Sequence, residues 1–335
     1  MQIVIDKSNA DQRFDRFMRK WLKVYPSIRL ADIYALIRKG GVKVNTKRQK
    51  EEYRLQVGDT VVIHENAKLG DADFSVLISP KDRQIKNINV DKINKRIVYE
   101  DQNRLVFDKP AGILVHPGNQ HWKDLCMNDY LEKWVEGSRL EVVGSKSAVT
   151  FKPSFGYRLD KDTSGILIAG KTYDALQYIN KIIRERQIEK YYLTLVAGQF
   201  PDHLLIDKPL EKKYNERMDR SEVTIDFRYG VAAKTECRCE DFFQHEVLGP
   251  CSLVKVKIET GRMHQIRIHL ADAGYPVLGD LTYGNPAINR ILYKSLGINR
   301  QLLHCWKYSF YDYLTSQQRS FEAPMPEDFE KVLQK

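Results

Sequence analysis

Apolar residues recur at helical spacing twice near the start of the chain. Phe14, Phe17, Leu22 and Tyr25 outline one short helix, and Ile28, Leu30, Ile33, Leu36 and Ile37 a second. Gly40–Gly41 stops the second helix. Val42, Val44, Tyr53, Leu55 and Val61–Val62–Ile63 then alternate with polar residues, as strands do, with Gly58–Asp59 as a turn. The pattern predicts a small helical pair followed by a small sheet. Residues 67–96 are polar and poorly periodic and are expected to be a linker.

From residue 97 onward the rhythm changes. Arg104–Phe107 and Gly112–Val115 read as short strands joined by a Pro-Ala-Gly turn. Gly165–Ala169, Tyr191–Val196, Val223–Phe227, Lys234–Phe243 and Leu253–Glu259 continue the strand pattern. Thr172 can cap a helix running to about Arg186, with Leu176, Ile179 and Ile183 on one face. Met263 to about Ala273 reads as a second helix, with Ile266, Leu270 and Ala273 on one side. Runs of strands with a few helices between them predict an α+β class with a mostly antiparallel sheet. Domains are expected at 1–66 and 97–335. The 335 residues are long enough for about two domains at roughly 100–200 residues each.

Charge changes the picture in the first part of the chain. The whole carries +10, and residues 1–64 hold +7 of it, from fourteen Lys or Arg against seven Asp or Glu. Such asymmetry points to a module for a polyanion. Basic side chains there can neutralise phosphates without reading bases. Other classes drop out. No apolar run approaches the ~20 residues of a membrane span, and the start lacks a charged-then-apolar signal region. Five cysteines without a C-x-x-C pair argue against a disulfide scaffold or a structural zinc site and fit the cytoplasm. Phosphate-loop, dinucleotide, nucleophile-elbow and H-E-x-x-H motifs are missing. His264 and His269 would lie about 140° apart round a helix, too far to share a metal easily. No cofactor and no metal are expected.

Two segments carry candidate chemistry. In Tyr157–Gly165, "YRLDKDTSG", an Arg and two acids precede a buried-looking strand. Loops at strand ends present reactive groups from a rigid scaffold. Asp160 and Asp162 are two apart, so in an extended stretch only one faces a given pocket. Ordinary turn acids would show the same spacing. In Thr260–Leu270, "TGRMHQIRIHL", a strand ends at a Gly turn and enters a helix bearing Arg262, His264, Gln265 and Arg267. His264 and Arg267, three apart, would share a helix face. Donors at a helix start suit an anion, although a solvated first turn has the same look.

Resemblances sharpen both halves. Arg16 to Ile63, with "RFMRKWL", "LIRKGGVKVNTKRQK" and "LQVGDTVVI", resembles the S4 domain, a small RNA-binding module of α/β type. That resemblance implies RNA contacts from Arg29, Arg38, Lys39, Lys43, Lys47 and Arg48. "YRLDKDTSGILIAGK" is similar to the H-R-L-D-x-x-T-S-G motif of the RluA family of pseudouridine synthases. "DKPAGILVHPG", "KYYLTLVAGQ", "TGRMHQIRIHLADAGYPVLGDLTYG" and "LLHCWKYSF" resemble its other motifs, in order, from about residue 98 to the end.

The resemblance implies isomerisation of uridine to pseudouridine in RNA. The expected substrate is large-subunit ribosomal RNA or its precursor particle, and the expected form a cytoplasmic monomer. A tRNA target, or a non-catalytic RNA-binding or ribosome-assembly protein, is the alternative. Asp160 matches the catalytic aspartate, Arg267 its basic partner, and Tyr192 the tyrosine that stacks on the base and whose hydroxyl could serve in late proton removal at carbon 5. Arg158 matches the arginine that fills the gap left by the flipped base. Ile266 and Leu270 match the apolar wall, and His264 lies beside them. Three departures stand out. The motif's usual His is Tyr157, Met263 replaces the Thr or Ser before His264, and Leu–Ala–Asp follows His269 in place of a more polar stretch.

Overall fold

The computed structural model describes residues 2–7, 9–22, 29–63, 89–116, 124–137, 153–215, 220–313 and 315–334. The chain forms two compact units, residues 1–88 with 132–153 and residues 89–131 with 154–335.

In the first unit α1 (Phe14–Leu22) buries Phe14, Phe17, Met18 and Leu22, and α2 (Leu30–Lys39) buries Ile33, Leu36 and Ile37. These meet the inward faces of a three-stranded antiparallel sheet, β1 (Gln2–Val4), β2 (Val42–Val44) and β3 (Thr60–Ile63), in the order β1-β3-β2. The leading strand escaped the sequence reading because three residues are too few to show a period of two. Tyr53 and Leu55, expected on a strand, lie in irregular chain between two turns, where Arg54 makes a single bridge to Arg13. Asp59 holds that stretch: its carboxylate accepts from Tyr53 Oη at 3.0 Å, Gln56 N at 2.8 Å and Asn45 Nδ2 at 2.6 Å. α2 stops where Gly40 turns left-handed at φ 71°, and a Cβ there would run into the Arg48 guanidinium. Tyr25 and Ile28 fall outside the described residues, as does most of the expected linker. The linker's end is ordered, as α3 (Val90–Asn94), whose first N–H groups are capped by Asn89.

The second unit is built on one sheet. Its strands are β4 (Ile97–Glu100), β5 (Arg104–Lys109), β6 (Ser154–Phe155), β7 (Ser164–Gly170), β8 (Ile188–Ala197), β9 (His203–Asp207), β12 (Lys234–His245), β13 (Gly249–Ile258), β14 (Leu303–Asp312) and β15 (Gln317–Glu322). They run in the order β4-β5-β7-β14-β8-β13-β12-β9, with β6 on β7 and β15 on β14. Pairing is antiparallel except between β7 and β14. β10 (Leu210–Asn215) and β11 (Arg220–Ile225) form a separate hairpin. The helices are α4 (Met127–Gly137), whose residues from Glu132 onward belong to the first unit, α5 (Tyr173–Arg184), α6 (Gln265–Asp272), α7 (Pro286–Leu296) and α8 (Glu327–Leu333).

Several expectations need correction. Gly112–Val115 is no strand: only Leu114 pairs, in a single bridge to Cys126. The strand expected to reach Phe227 stops at Ile225, because Asp226 accepts the N–H groups of Arg228 and Tyr229 and closes a turn. Thr172 does cap α5, accepting from Ala175 N at 3.2 Å, but the buried stripe is Ala175, Ile179 and Ile182, one residue round from the expected face. The second helix starts at Gln265, two residues later than expected.

The parallel seam between β7 and β14 is the tightest part of the sheet. Gly165 sits opposite Cys305 at φ 113°, and a Cβ there would collide with the Cys305 carbonyl. One residue earlier Ser164 Oγ lies 2.9 Å from His304 Nδ1, with His304 fully buried. Burial pushes the His304 imidazole down to about 4. The unfolded chain therefore takes up a proton near pH 6.5 that the folded chain refuses until about pH 4. Stability from this group is complete above pH 6.5 and is lost as pH falls toward 4, by about 3 kcal/mol at most. Chemical denaturation between pH 7 and 4 should show a steeper loss for the wild type than for His304→Gln.

Candidate active site

Asp160 hangs in the loop before β7, and that loop is stapled from two sides. Lys109, fully buried at the end of β5, donates from Nζ to Lys161 O at 2.8 Å, Thr163 O at 2.7 Å and Pro110 O at 2.9 Å. Burial draws its ammonium down to about 7. Arg300 donates from Nη1 to Asp162 O at 3.0 Å while its other nitrogens hold Asp328. The backbone around Asp160 is thereby fixed with all three Lys109 donors engaged. Asp160 faces a pocket of about 80 Å³, whereas Asp162 does not line it.

Arg267 comes from the first turn of α6, and its guanidinium is shared. Nη1 donates to Asp160 Oδ2 at 3.1 Å, while Nε and Nη2 grip Asp280 at 2.6 and 2.9 Å in a bidentate pair. Asp280 is 1% exposed and Arg267 5%. Burial alone would raise the Asp280 carboxyl, but the hydrogen bonds and charge of Arg267, with the N–H groups of Tyr283 and Thr282, carry it below the usual carboxylate range. Burial likewise opposes the Arg267 charge, and Asp280 and Asp160 outweigh it and raise the pKa. The Tyr283 ring lies 5.2 Å from the guanidinium carbon.

His264 reaches the same carboxylate from another direction. It precedes α6 in a left-handed conformation at φ 54°, so it shares no helix face with Arg267, contrary to the spacing argument. Its Nε2 is 3.7 Å from Asp160 Oδ2 and its Nδ1 3.0 Å from Tyr283 Oη. Burial lowers its pKa, against the pull of Asp160. Gln265, 2% exposed, locks this turn. Its Oε1 accepts from Thr260 Oγ1 and Arg262 N, and its Nε2 donates to Lys234 O and Thr235 Oγ1. His269 is a satisfied core residue, bonded to Thr235 Oγ1 and Lys208 O.

The pocket wall brings in Tyr192, Ile266 and Arg158. Tyr192 is 7% exposed on β8, while its neighbour Tyr191 faces away, against Lys257. Burial, then the neighbouring Cys305 and Tyr157, raise the Tyr192 phenol well above its ordinary value. The Tyr192 hydroxyl is therefore protonated at neutral pH. Arg158 is exposed at the rim. Leu270 corrects the sequence reading: it is fully buried in α6 and does not line the pocket. Tyr157 also stays out of the pocket, stacking on Tyr308 at 4.9 Å and donating to Ile166 O at 2.9 Å. Met263 packs beside the small core of Leu210, Val223, Ala233 and Ile268.

Residues 103–272 match the family model described as RNA pseudouridylate synthase. The chain belongs to that family. It is 32% identical over 99% of its length to "Ribosomal large subunit pseudouridine synthase C" of Escherichia coli strain K12, covering 95% of that protein. The Vibrio vulnificus protein of the same name is 34% identical over the whole chain and 96% of its own length. Among solved structures, "Human RNA Pseudouridylate Synthase Domain Containing 4" aligns with 73% of the chain and 94% of its own, at TM-score 0.55 and 21% identity. "Human RNA Pseudouridylate Synthase Domain Containing 1" aligns with 68% of the chain and 82% of its own, at 0.52 and 23%. These two show the fold, an α+β pseudouridine synthase domain.

Within this family fold the sequence reading missed Asp280, Tyr283 and the loop-pinning role of Lys109, and it took Gln265 for an anion donor where it locks a turn. Each lay inside a motif segment, but nothing in its spacing marks a buried partner. Asp280 follows Gly279 in "LGDLTYG". Removing it leaves the Arg267 charge buried with one partner. Asp280→Ala should cost about 3–5 kcal/mol in denaturant unfolding, and should lower activity well before the fold is lost.

Proposed function

We propose that the chain isomerises uridine to pseudouridine in large-subunit ribosomal RNA. The single observation carrying this reading is the Asp160 carboxylate at the pocket, bonded to a guanidinium that is itself held by Asp280. The names of the Escherichia coli and Vibrio vulnificus relatives support the substrate. The reaction breaks C1′–N1 and makes C1′–C5. The C5 proton leaves and N1 gains one, so no atoms are exchanged and no cofactor is consumed.

In this reading Asp160 is the catalytic group. Attack on the sugar, attack on the ring and removal of a ribose proton all need it ionised, and Arg267 favours that form and fixes the rotamer. Tyr192 offers a ring for the uracil to stack on once it leaves the RNA stack. Ile266 supplies the apolar side, and Arg158, exposed at the rim, occupies the space the base vacates. His264 supports the Asp160 carboxylate as a neutral imidazole.

The N-terminal unit is read as an S4-like RNA-binding domain, and the protein as a cytoplasmic monomer. Lys39 and Lys47 are exposed and Lys43 is half-buried. Arg29 pairs with Asp32 at 3.1 Å, and Arg38 with Glu51 at 3.6 Å. Arg48 donates to Lys39 O at 2.6 Å. Of these six cations, the three lysines are therefore the ones most ready for phosphate.

Pseudouridine mapping of ribosomal RNA from a deletion strain tests the function. Wild type should restore the lost modifications and Asp160→Ala should restore none. A mutant that restored all of them would contradict the assigned role. A purified protein that binds RNA tightly yet never isomerises it would favour the assembly-protein alternative. Separately, changing Lys39, Lys43 and Lys47 to Gln should weaken RNA binding and flatten its salt dependence, by about two in the slope of log K against log salt.

A further inference from the structure

Three lysines are buried among the described residues, Lys109, Lys171 and Lys190. Lys109 has its three carbonyls, and Lys171 donates to Glu100 Oε1 at 2.8 Å and Asp101 O at 2.6 Å. Lys190 is the exception. It is 8% exposed, and no carboxylate or carbonyl among the described residues bonds to its Nζ. Its stem is buried while its Nζ keeps a small opening to solvent, so the ammonium can take a partner from outside the protein.

Its position shows where that partner would sit. Lys190 is two residues before Tyr192 on β8, so both side chains leave the same face of the strand. Across the sheet it pairs with Ile258 of β13 and Tyr308 of β14. A Cβ built at Gly261 would stand 3.6 Å from Lys190 Nζ, and Gly261 and Ile258 both line the pocket beside Asp160. Lys190 itself does not line the pocket; its ammonium stands just behind Gly261, which has no side chain to cover it.

No neighbour offsets the charge. The Cys305 thiol of β14 is pushed up to about 12 by burial, and burial raises the phenols of Tyr157, Tyr192 and Tyr308 well above their ordinary value. All four are neutral at pH 7. Glu189, on the opposite face, is bonded to Lys257, and Glu259 pairs with Lys234. Burial accordingly lowers the Lys190 pKa.

The reaction provides the missing anion. Heterolysis of C1′–N1 sends the bonding pair into the uracil ring, where the two carbonyl oxygens share the charge. We infer that Lys190 is a further catalytic residue, donating from Nζ to a ring oxygen of the detached uracil and stabilising its negative charge. Lys190 keeps its three protons throughout. The ring then turns, C1′–C5 forms, C5 releases its proton to solvent and N1 takes one up. This inference rests on the pseudouridine reading above.

The test uses the full-length protein and a transcript of large-subunit ribosomal RNA carrying tritium at uracil C5, followed through a single turnover. Lys190→Gln should release tritium about 10²–10³-fold more slowly, the loss typical of one donor aimed at developing charge. Its RNA affinity and its cooperative unfolding should match wild type. Lys190→Arg should recover much of the rate and hold it at alkaline pH, where the wild type declines as Lys190 loses its proton. An active wild type matched by Lys190→Gln overturns the inference alone. So does a loss that tracks RNA binding or unfolding, or an alkaline decline unchanged in Lys190→Arg. A wild type releasing no tritium overturns the pseudouridine reading and this inference with it.

Discussion

One guanidinium shared between two carboxylates organises the site. Arg267 gives two of its nitrogens to Asp280, inside the protein, and one to Asp160, at the pocket. The unequal division matters. A buried arginine held only by Asp160 would tie up the group proposed to react. With Asp280 carrying the bidentate pair, Asp160 receives one hydrogen bond from Arg267, on Oδ2, which leaves Oδ1 for the proposed chemistry. Its side chain is 23% exposed, against none for Asp280. The same aspartate also accepts from the N–H groups of Thr282 and Tyr283, so it shapes the turn that sets Tyr283 against the guanidinium.

The rest of the second unit serves to bring these groups within reach. Asp160 lies 107 residues from Arg267, and the bond between them closes only because β7 and α6 are placed by one sheet. The β7–β14 seam fixes the end of the Asp160 loop, and Gly165 is required there for close approach. Lys109, 52 residues from Lys161, pins the loop from the opposite side. Rigid neighbours of this kind are what allow a few atoms to be held in productive geometry.

Much of this was legible in the sequence, for physical reasons that differ by element. β7 announced itself by a continuous apolar run, which suits a strand buried on both faces, and every one of its residues is buried. Thr172 announced α5 because a cap acts within three residues. Asp160, Arg267 and Tyr192 were named from motif resemblance, and the structure brings them to one pocket. What escaped depends on partners distant in sequence. Asp280 was not singled out, and Lys109 stood only at the start of a Pro-Ala-Gly turn. His264 was assigned to a helix face and instead turns left-handed before the helix, yet still reaches Asp160. Leu270 was assigned to the pocket wall by the motif resemblance and proved to be interior.

Asp160 and Arg267 are proposed to act as one unit, with the arginine working through the aspartate. A double-mutant cycle reads this directly, as single-turnover pseudouridine formation by wild type, Asp160→Asn, Arg267→Met and the double variant. The account predicts that the double variant is no slower than Asp160→Asn alone, because the arginine has nothing left to support. Losses that multiply would show that Arg267 contributes independently of Asp160 and would contradict it.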